Sequence, residues 1–425
     1  MIIESRVFYI DPNGSNCNDG LTPETPFAGF EPINNMVLKP GDKVLLKRGG
    51  CWNELLIING QGTPDNFIEI GSYGEGKLPV IRRNGLIHER CVRVNNPSYL
   101  KMSDMEVCDG GAGIVIFYDH CFHNESVYLS NITAHDFYGI YRASGEFSSR
   151  EEWKSYRCDD RVGFSFGICV TGNDTVETRN ERVLSDFRVS NCEIYHTGGG
   201  LGLDWCDHKN CDGTESGKNK FGNVLFENVY LHHNNIPDVS VSSLFIQCVT
   251  KAVFRNSTID VGAGGAPWGA AAIHLQIAKN VLIDNVVIKN MPHTGTNDEC
   301  GIDFETDTCV IKDCVFENNA GAGIEFLANK DGSSNPVSRN IHIIGCRFIH
   351  NNWAKVYPEA GQIQIVNWNV DNRPTGTICD CYFENPEGIA SVNGDGFLDG
   401  MVQMGNRIGE HIEGSISCEK VACGV

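Results

Sequence analysis

The segment GIDFETDTCVIKDCVFENNAGAGIEFL, from Gly301 to Leu327, carries two nearly identical phrases, GIDFE and GIEFL, on either side of a third phrase, KDCVFEN. GIDFE and GIEFL each place one carboxylate, Asp303 or Glu325, between two apolar residues. Such alternation of apolar and polar residues is typical of a β-strand with one buried face. The segment therefore predicts short recurring strands, with an acid at the same position of the repeat.

Phrases like KDCVFEN recur along most of the chain. Successive copies lie 26 to 36 residues apart, apart from one gap of 61 that fits two repeats with an insertion. Each copy reads as a short strand followed by Asn, His or Gly, which are turn residues, and a second strand such as GIDFE follows. The small central residues of the copies are Met105, Asn131, Cys192, Asn228, Asn256, Asn285, Cys314, Cys346 and Cys381.

This repeat predicts an all-β fold, a single-stranded parallel β-helix or solenoid. Helical patterns are missing between the strands, so crossover helices do not connect them. Many short strands with Asn and Gly turns at this period indicate a parallel β-helix, in which each coil adds one strand to each of several sheets. A sandwich or a propeller would need regular hairpins with tight turns, and the sequence has no regular series of them.

The chain is predicted to form one structural domain with capped ends. Residues 1–95 would form an N-terminal cap and the first coils, with a helical turn near Pro32–Val37 and a strand at Lys43–Lys47. Residues 96–400 would form the β-helix, and residues 401–425 a C-terminal cap. Loop inserts would wall one face of the solenoid. The predicted inserts are 142–182, 207–223, 262–269 and 328–340.

The start of the chain resembles a known superfamily. FYIDPNGSNCNDGLTPETPF, KPGDKVLLKRGG and NFIEIGSYGEGKLPVI look like the opening of right-handed parallel β-helix proteins of the pectate-lyase-like superfamily. With the repeats, the similarity covers nearly the whole chain. The resemblance implies a right-handed solenoid and a carbohydrate-active protein, since most members are lyases, epimerases or glycoside hydrolases. It is specific for the fold and not for the reaction, which the site must decide.

Composition restricts the partners. The formal net charge is −20, so nucleic acid and anionic membranes are not expected partners, whereas a neutral oligosaccharide is compatible. No apolar run is long enough to span a bilayer, and the N-terminus does not read as a secretory signal. The 19 cysteines mostly lie in alternating segments, which favours reduced thiols and a cytoplasmic protein. A secreted protein without its signal is the alternative, and a homo-oligomer suits the architecture.

Strand parity selects candidate site residues. Alternate side chains of a strand point to opposite faces, so the polar residue of each IDF-type phrase points away from the core. Stacking the coils then predicts two outward columns without Lys or Arg. The first column is Asp204, Phe245, His274, Asp303, Glu325 and Gln364; the second is Cys206, Gln247, Gln276, Glu305, Leu327 and Val366.

The stacked acids suggest a chemistry. Neighbouring strands lie about 4.8 Å apart, so the carboxyl groups of Asp303 and Glu325 are expected about 5 Å apart. Retaining glycosidases hold nucleophile and acid/base at about 5–5.5 Å. Two close carboxylates also repel, which raises the pKa of one of them. We therefore expect Asp303 and Glu325 to be catalytic, in either order of roles, with Glu305 and His274 tuning the pair or binding hydroxyl groups. GIDFE and GIEFL resemble the adjacent-coil Asp and Glu of a β-xylosidase group of this fold.

Substrate binding is predicted for polar and aromatic residues around the acids. Amides and aromatic rings bind sugar hydroxyls and faces. This hypothesis needs no cofactor and no metal. The alternatives are a polysaccharide lyase or uronate epimerase, in which the carboxylates bind calcium, and a non-catalytic carbohydrate-binding solenoid with merely solvated acids. The predicted binding residues are His274, Gln276, Gln364, Asp204, Gln247, Trp268, Trp205 and Trp368.

Overall fold

The fold is seen in a computed structural model of the 425-residue chain. Its described residues are 5–139, 165–175, 177–178, 181–205, 219–236, 241–262, 264, 269–328, 338–357, 360–367, 373–393 and 400–409.

The regular secondary structure of the described residues is nearly all strand, with one short helix, α1, at Glu31–Asn34. In the N-terminal half the strands are β1 Val7–Ile10, β2 Lys43–Lys47, β3 Cys51–Trp52, β4 Leu56–Asn59, β5 Ile68–Tyr73, β6 Val80–Asn95, β7 Leu100–Asp119, β8 Asn124–Phe137, β9 Phe166–Asn173, β10 Leu184–Ser190, β11 Glu193–Tyr195 and β12 Gly199–Leu203. They continue with β13 Phe221–Glu227, β14 Tyr230–His232, β15 Leu244–Asp260, β16 Ile273–Lys289, β17 Ile302–Lys312, β18 Val315–Glu317 and β19 Ile324–Ala328. The last strands are β20 Arg339–Ile344, β21 Arg347–Ile349, β22 Gly361–Asn367, β23 Gly376–Cys379, β24 Tyr382–Glu384, β25 Ala390–Asn393, β26 Met401–Met404 and β27 Arg407–Gly409.

The strands pair in parallel and form three stacks, which the chain visits in the same order on each coil. Long strands such as β16 bend through all three stacks. Stack 1 contains β1, β2, β5, β7, β8, β10, β13, β15, β16, β17, β20, β23 and β26. Stack 2 contains β3, β6, β7, β8, β11, β14, β15, β16, β18, β21, β24 and β27. Stack 3 contains β4, β6, β7, β9, β12, β15, β16, β17, β19, β22 and β25.

The core fills the space between the stacks. Alternate residues of each strand point inward, and equivalent residues of successive coils pack on one another. Phe316, Phe348 and Phe383 illustrate this, with ring centroids 4.8 Å and 5.0 Å apart and nearly parallel planes. The regular alternation in the sequence is therefore what winds the chain into stacks with one continuous apolar interior.

Two adjacent columns of small residues mark the turn from stack 1 to stack 2. Residues of the first column have φ between +51° and +64°, a left-handed conformation that Asn, Asp and Gly accept most readily. Cysteines of the second column follow one residue later and are buried. The sequence analysis placed these Asn and Cys residues at one position of the repeat. The structure shows that they occupy two neighbouring positions, one residue apart. The first column is Asp104, Asn131, Asn191, Asn228, Asn256, Asn285, Asp313, Gly345 and Asp380; the cysteines are Cys192, Cys314, Cys346 and Cys381.

The two ends of the chain agree in part with the predictions from the sequence. The strand predicted at Lys43–Lys47 is confirmed, whereas the helical turn lies earlier, at Glu31–Asn34. β26 and β27 continue stacks 1 and 2, so residues 401–409 extend the coils where a cap was expected. Large parts of the predicted inserts lie outside the described residues. No described helix is long and apolar enough to cross a membrane.

The phenylalanine column predicts a large effect of one core truncation. Phe348→Ala would leave a cavity between two stacked rings and should reduce the free energy of unfolding by about 3–5 kcal/mol. Denaturant titration followed by circular dichroism measures this change. Val402→Ala is the control, because Val402 is 55% exposed and its truncation should cost less than about 0.5 kcal/mol. Equal midpoints for the two variants would contradict the packing described.

Candidate active site

Stack 3 brings the predicted acids together. His274 pairs with Asp303, Asp303 with Glu325, and Glu325 with Gln364, so these residues occupy one column on four successive strands. Phe245 precedes His274 in the same column. The neighbours of the acids, Ile302, Phe304, Ile324 and Phe326, belong to the core, so the acids lie on the opposite face of the stack. The predicted stacking of Asp303 on Glu325 is confirmed.

The second predicted column is also present in part. Gln247 pairs with Gln276, and Gln276 with Glu305. Asp204, however, does not share the column of Asp303. Leu203 pairs with Ile246, which brings Asp204 level with Gln247, two residues further along. A two-residue slip keeps the parity of a strand, so apolar alternation alone could not detect it.

Of the three predicted tryptophans, only Trp205 lies within the described residues. Its ring is fully buried in the core and packs edge-on against Phe221, so it offers no face to a sugar. This corrects the predicted stacking role. Trp268 and Trp368 lie outside the described residues, and their proposed role stays a prediction.

An amide relay ends on Glu305. The backbone N–H of Trp205 donates to Oε1 of Gln247, whose side-chain amide donates to Oε1 of Gln276. The amide of Gln276 in turn donates to Oε2 of Glu305 over 2.9 Å. Because a backbone N–H can only donate, the orientation of both glutamine amides is fixed along the relay. Glu305 therefore receives a directed hydrogen bond and is held in one position.

A second relay of side-chain amides ends on Glu325. The amide of Asn352 donates to the backbone carbonyl of Gly361 and to Oε1 of Gln364, which lies 2.7 Å away. The amide of Gln364 then donates to Oε2 of Glu325 over 2.6 Å. All three polar side chains are buried. Asn352 is a contributor that the strand pattern missed, since it lies in the turn before β22.

His274 lies between two acids. Its Nδ1 is 3.7 Å from Oδ2 of Asp303, and its Nε2 is 3.7 Å from Oε2 of Glu305. Burial alone would lower the pKa of His274, but the charge of Asp303 and the contact with Glu305 raise it to about 9. The imidazole is therefore a cation at neutral pH. Its stabilising effect is complete below its ordinary pKa of 6.5 and is lost as the pH rises through about 9.

Asp298 completes the site and was not predicted. Its carboxyl group contacts that of Glu325, and its Oδ1 accepts a hydrogen bond from the hydroxyl of Tyr357 over 3.1 Å. Burial raises the pKa of Glu325 well above its usual range, and the charges of Asp298 and Asp303 raise it further. No N–H or O–H group of a described residue donates to Oε1 of Glu325. A proton shared from Glu325 to Asp298 satisfies both carboxyl groups.

The backbone around Asp298 explains why this acid can approach so closely. Asp298 has φ of +70°, and Ala270 pairs with it from the preceding coil. A Cβ atom at Gly269 would lie 2.1 Å from Oδ2 of Asp298, so only glycine leaves room for the carboxyl group. Asp298 lies in the loop between β16 and β17, where strand parity gives no information. The nearest sequence signal is its place in NDEC, just before GIDFE.

The acids have different surroundings. Burial and the charges of Asp298 and Glu305 raise the pKa of Asp303 well above its usual range, although the neighbouring His274 cation opposes this rise. Glu325 has another acid, Asp298, as its neighbour, and the charge of Asp298 raises the pKa of Glu325. Oδ1 of Asp303 makes no hydrogen bond to any described residue. Asp303, Glu305 and Glu325 are buried, whereas the neighbouring His274, Asp298 and Tyr357 are partly exposed. The arrangement places two carboxyl groups with raised pKa values a strand apart, and of these two Asp303 is the one beside a cation.

The sequence of this chain matches the model of a known protein family. The family described as right handed beta helix region matches residues 184–398, about half of the chain. The protein belongs to this right-handed parallel β-helix family. Comparison with curated proteins gave no match.

Solved structures share the fold. A GH136 lacto-N-biosidase from Eubacterium ramulus is 17% identical with a TM-score of 0.63, over 96% of this chain and 68% of that chain. Its selenomethionine derivative is 18% identical with a TM-score of 0.61 and the same coverage. A mutant of the PL6 family alginate lyase AlyGC is 13% identical with a TM-score of 0.51, over 95% of this chain and 53% of that chain. At these identities the similarity establishes the fold, and the reaction must be argued from the site.

Two glycine substitutions test the packing around Asp298. Gly269 and Gly295 both have positive φ, but a Cβ atom at Gly295 meets nothing within 4 Å. Alanine should cost about 1–2 kcal/mol at either position because of its backbone conformation. Gly269→Ala should lower the thermal midpoint clearly more than Gly295→Ala, since it also displaces Asp298. Differential scanning calorimetry measures both, and equal midpoints would contradict the contact.

Proposed function

We propose that this protein is a retaining glycoside hydrolase that acts on neutral oligosaccharides. The observation that carries the proposal is the strand pairing of Asp303 with Glu325 in opposite electrostatic surroundings. One strand spacing, about 4.8 Å, is close to the separation of about 5–5.5 Å in retaining enzymes and below the range for inverting ones. We also propose that the scaffold is a single-stranded solenoid with capped ends. The three parallel strand stacks support the solenoid.

In this mechanism Asp303 is the nucleophile. Its charged form is favoured by the imidazolium of His274, 3.7 Å away. Oδ1, which lacks a donor among the described residues, attacks the anomeric carbon as the glycosidic bond breaks. The product of this step is a covalent glycosyl ester on Asp303.

Glu325 is the acid and then the base. Its raised pKa keeps a proton available at neutral pH, and that proton passes to the leaving glycosidic oxygen. The resulting carboxylate accepts a proton from water, which attacks the anomeric carbon and releases Asp303. The hydrogen bond from Gln364 fixes Glu325 during both steps. Asp298, whose carboxyl group contacts Glu325, helps retain the proton before reaction.

The remaining residues would bind the sugar and maintain the charge of His274. Glu305 keeps His274 protonated and can accept a hydrogen bond from a hydroxyl group, while Gln276 and Gln247 hold Glu305 in place. Trp268 and Trp368 stay candidates for stacking on the sugar. A short oligosaccharide in the cytoplasm is the proposed substrate, and calcium is not required. These assignments rest on the sequence and on the chemistry of the donors.

The fold neighbours support an enzyme acting on carbohydrate and leave two reaction classes. One neighbour is named a lacto-N-biosidase and another an alginate lyase. A lyase or uronate epimerase would use the acids to bind calcium and a basic residue to remove a proton. From Gly202 to Asn393 the first column contains no Lys or Arg, and a cationic His274 already lies between Asp303 and Glu305. These features favour hydrolysis over elimination.

Substitution of the two acids should abolish hydrolysis in different ways. Asp303→Asn removes the nucleophile and should leave no measurable turnover of any aryl glycoside. Glu325→Gln should lower kcat/KM by about 10²–10⁴-fold on glycosides with poor leaving groups. It should lower the rate of bond cleavage much less with dinitrophenyl glycosides, because a good leaving group needs no proton.

The control and the product analysis separate the alternatives. Asp307→Asn alters an acid on the same strand that pairs with Lys279 outside the site, so it should keep full activity. Proton NMR of the first product should show a retained anomeric configuration. An inverted product would reject the retaining mechanism. Chelator-sensitive release of unsaturated uronates would identify a lyase, and binding without turnover would identify a non-catalytic solenoid.

The charge of His274 predicts a pH effect. In His274→Gln the pKa of Asp303 should rise because its cation is lost. The acidic limb of the kcat/KM profile should move up by at least about one unit, equivalent to about 1.4 kcal/mol. Activity should therefore fall more at pH 6 than at pH 8. His293→Gln is the control, since His293 is about half exposed and pairs with Glu299. Superimposable acidic limbs would reject the role of His274.

A further inference from the structure

A second cluster of reactive side chains lies on stack 2, far along the chain from the acids of stack 3. Cys108 of β7 pairs with His135 of β8 on the next coil. Glu106 lies two residues before Cys108 and therefore on the same face of β7. Met105 and Val107 belong to the core, so all three side chains of the cluster point away from it.

The three groups converge on one point. One ligand atom each from Glu106, Cys108 and His135 lies within 4.8 Å of the other two. Nε2 of His135 and Oε1 of Glu106 are 3.3 Å apart. Ligands at ordinary zinc bond lengths in a tetrahedron are separated by about 3.3–3.7 Å. The nitrogen and the oxygen therefore already have the separation of a zinc site.

The orientation of His135 is fixed by a second carboxylate. Oδ2 of Asp136 is 2.7 Å from Nδ1 of His135, and Oδ1 of the same carboxylate is 3.1 Å from Nδ1 of His196. A hydrogen bond from Nδ1 to Asp136 leaves Nε2 without its proton and directed at Glu106 and Cys108. This carboxylate–histidine arrangement is common behind metal-binding histidines. Stacking on Tyr195, with ring centroids 4.7 Å apart, holds the ring plane as well.

We propose that Glu106, Cys108 and His135 bind a zinc ion whose fourth position is open to water. Thiolate and imidazole ligands select zinc over calcium and magnesium, which prefer oxygen. The side chains of Glu106 and His135 are 34% and 14% exposed, so an ion can reach the site from solvent. The ion would link two successive coils and stabilise their pairing. The proposal does not depend on the glycosidase function, because none of its residues belongs to the active site.

The neighbouring coils provide a matched control. His232 continues the ring ladder below Tyr195, with centroids 4.8 Å apart, and its Nε2 is 3.2 Å from Oε1 of Glu193. This pair has the same histidine–glutamate contact as the cluster. The position equivalent to Cys108 is Tyr195, which pairs with His232, so no thiol joins this contact among the described residues. His232→Gln should therefore leave zinc binding unchanged.

The test measures zinc in tag-free protein by mass spectrometry, after loading with zinc and dialysis. Wild type and His232→Gln should retain one more equivalent than Cys108→Ser, Glu106→Gln or His135→Gln. Comparing variants cancels any zinc held by other thiols. Cobalt should give wild type a thiolate-to-metal absorption band that Cys108→Ser lacks, and zinc should raise the thermal midpoint of wild type but not of Cys108→Ser.

Two results would overturn the proposal. One is equal zinc content in wild type and in the three ligand variants. The other is a thiolate–cobalt band that persists in Cys108→Ser. If Cys108→Ser fails to fold, Glu106→Gln decides the question, because Glu106 is partly exposed and its substitution keeps the shape of the side chain.

Discussion

Hydrogen bonding between successive parallel strands is the constraint on which everything else in this protein depends. It ties each residue of a coil to one residue of the next, about 4.8 Å away. Similar side chains therefore stack on one another, which suits the phenylalanines of the core and the asparagines of the turns. The same rule is costly for acids, because stacked like charges repel. Asp303 and Glu325 can be neighbours only because other groups relieve that repulsion.

The residues next to the two acids in this column relieve the repulsion unequally. His274, one coil before Asp303, supplies a positive charge, whereas Gln364, one coil after Glu325, supplies only an amide. Asp298 adds a third carboxyl group on the side of Glu325. Two residues that occupy equivalent positions in the repeat thus have different electrostatic surroundings. In the proposed mechanism, the difference between the nucleophile and the acid arises from the order of side chains along one column.

Much of this site could be predicted from the sequence, because strand parity and repeat spacing determine which residues share a face. Asp303, Glu325, His274 and Gln364 were found in this way. Parity fails where the register can slip by two residues, as at Asp204. It also says nothing about turns and loops, where Asp298 and Asn352 lie with geometry set by their packing against neighbouring coils.

Side-chain burial and pairing between distant segments were the other features that could not be predicted from the sequence. Trp205 follows a site strand in sequence, yet its size and its neighbour Phe221 place it in the core. Conversely, Cys108 and His135 are distant in sequence and become neighbours only when the register of β7 and β8 is known. Spacing along the chain can identify metal ligands within one loop, but not ligands assembled from two coils.

Distances across a strand stack change only in whole steps. The gap between two groups in one column is one strand spacing, or two, with nothing between. If a single coil were inserted between β17 and β19, the distance from Asp303 to Glu325 would rise from about 4.8 Å to about 9.6 Å. That is the upper end of the separation at which a water molecule fits between the acids and inversion replaces retention. In this architecture the stereochemical outcome of a reaction could thus change by the gain or loss of one repeat, with neither catalytic residue altered.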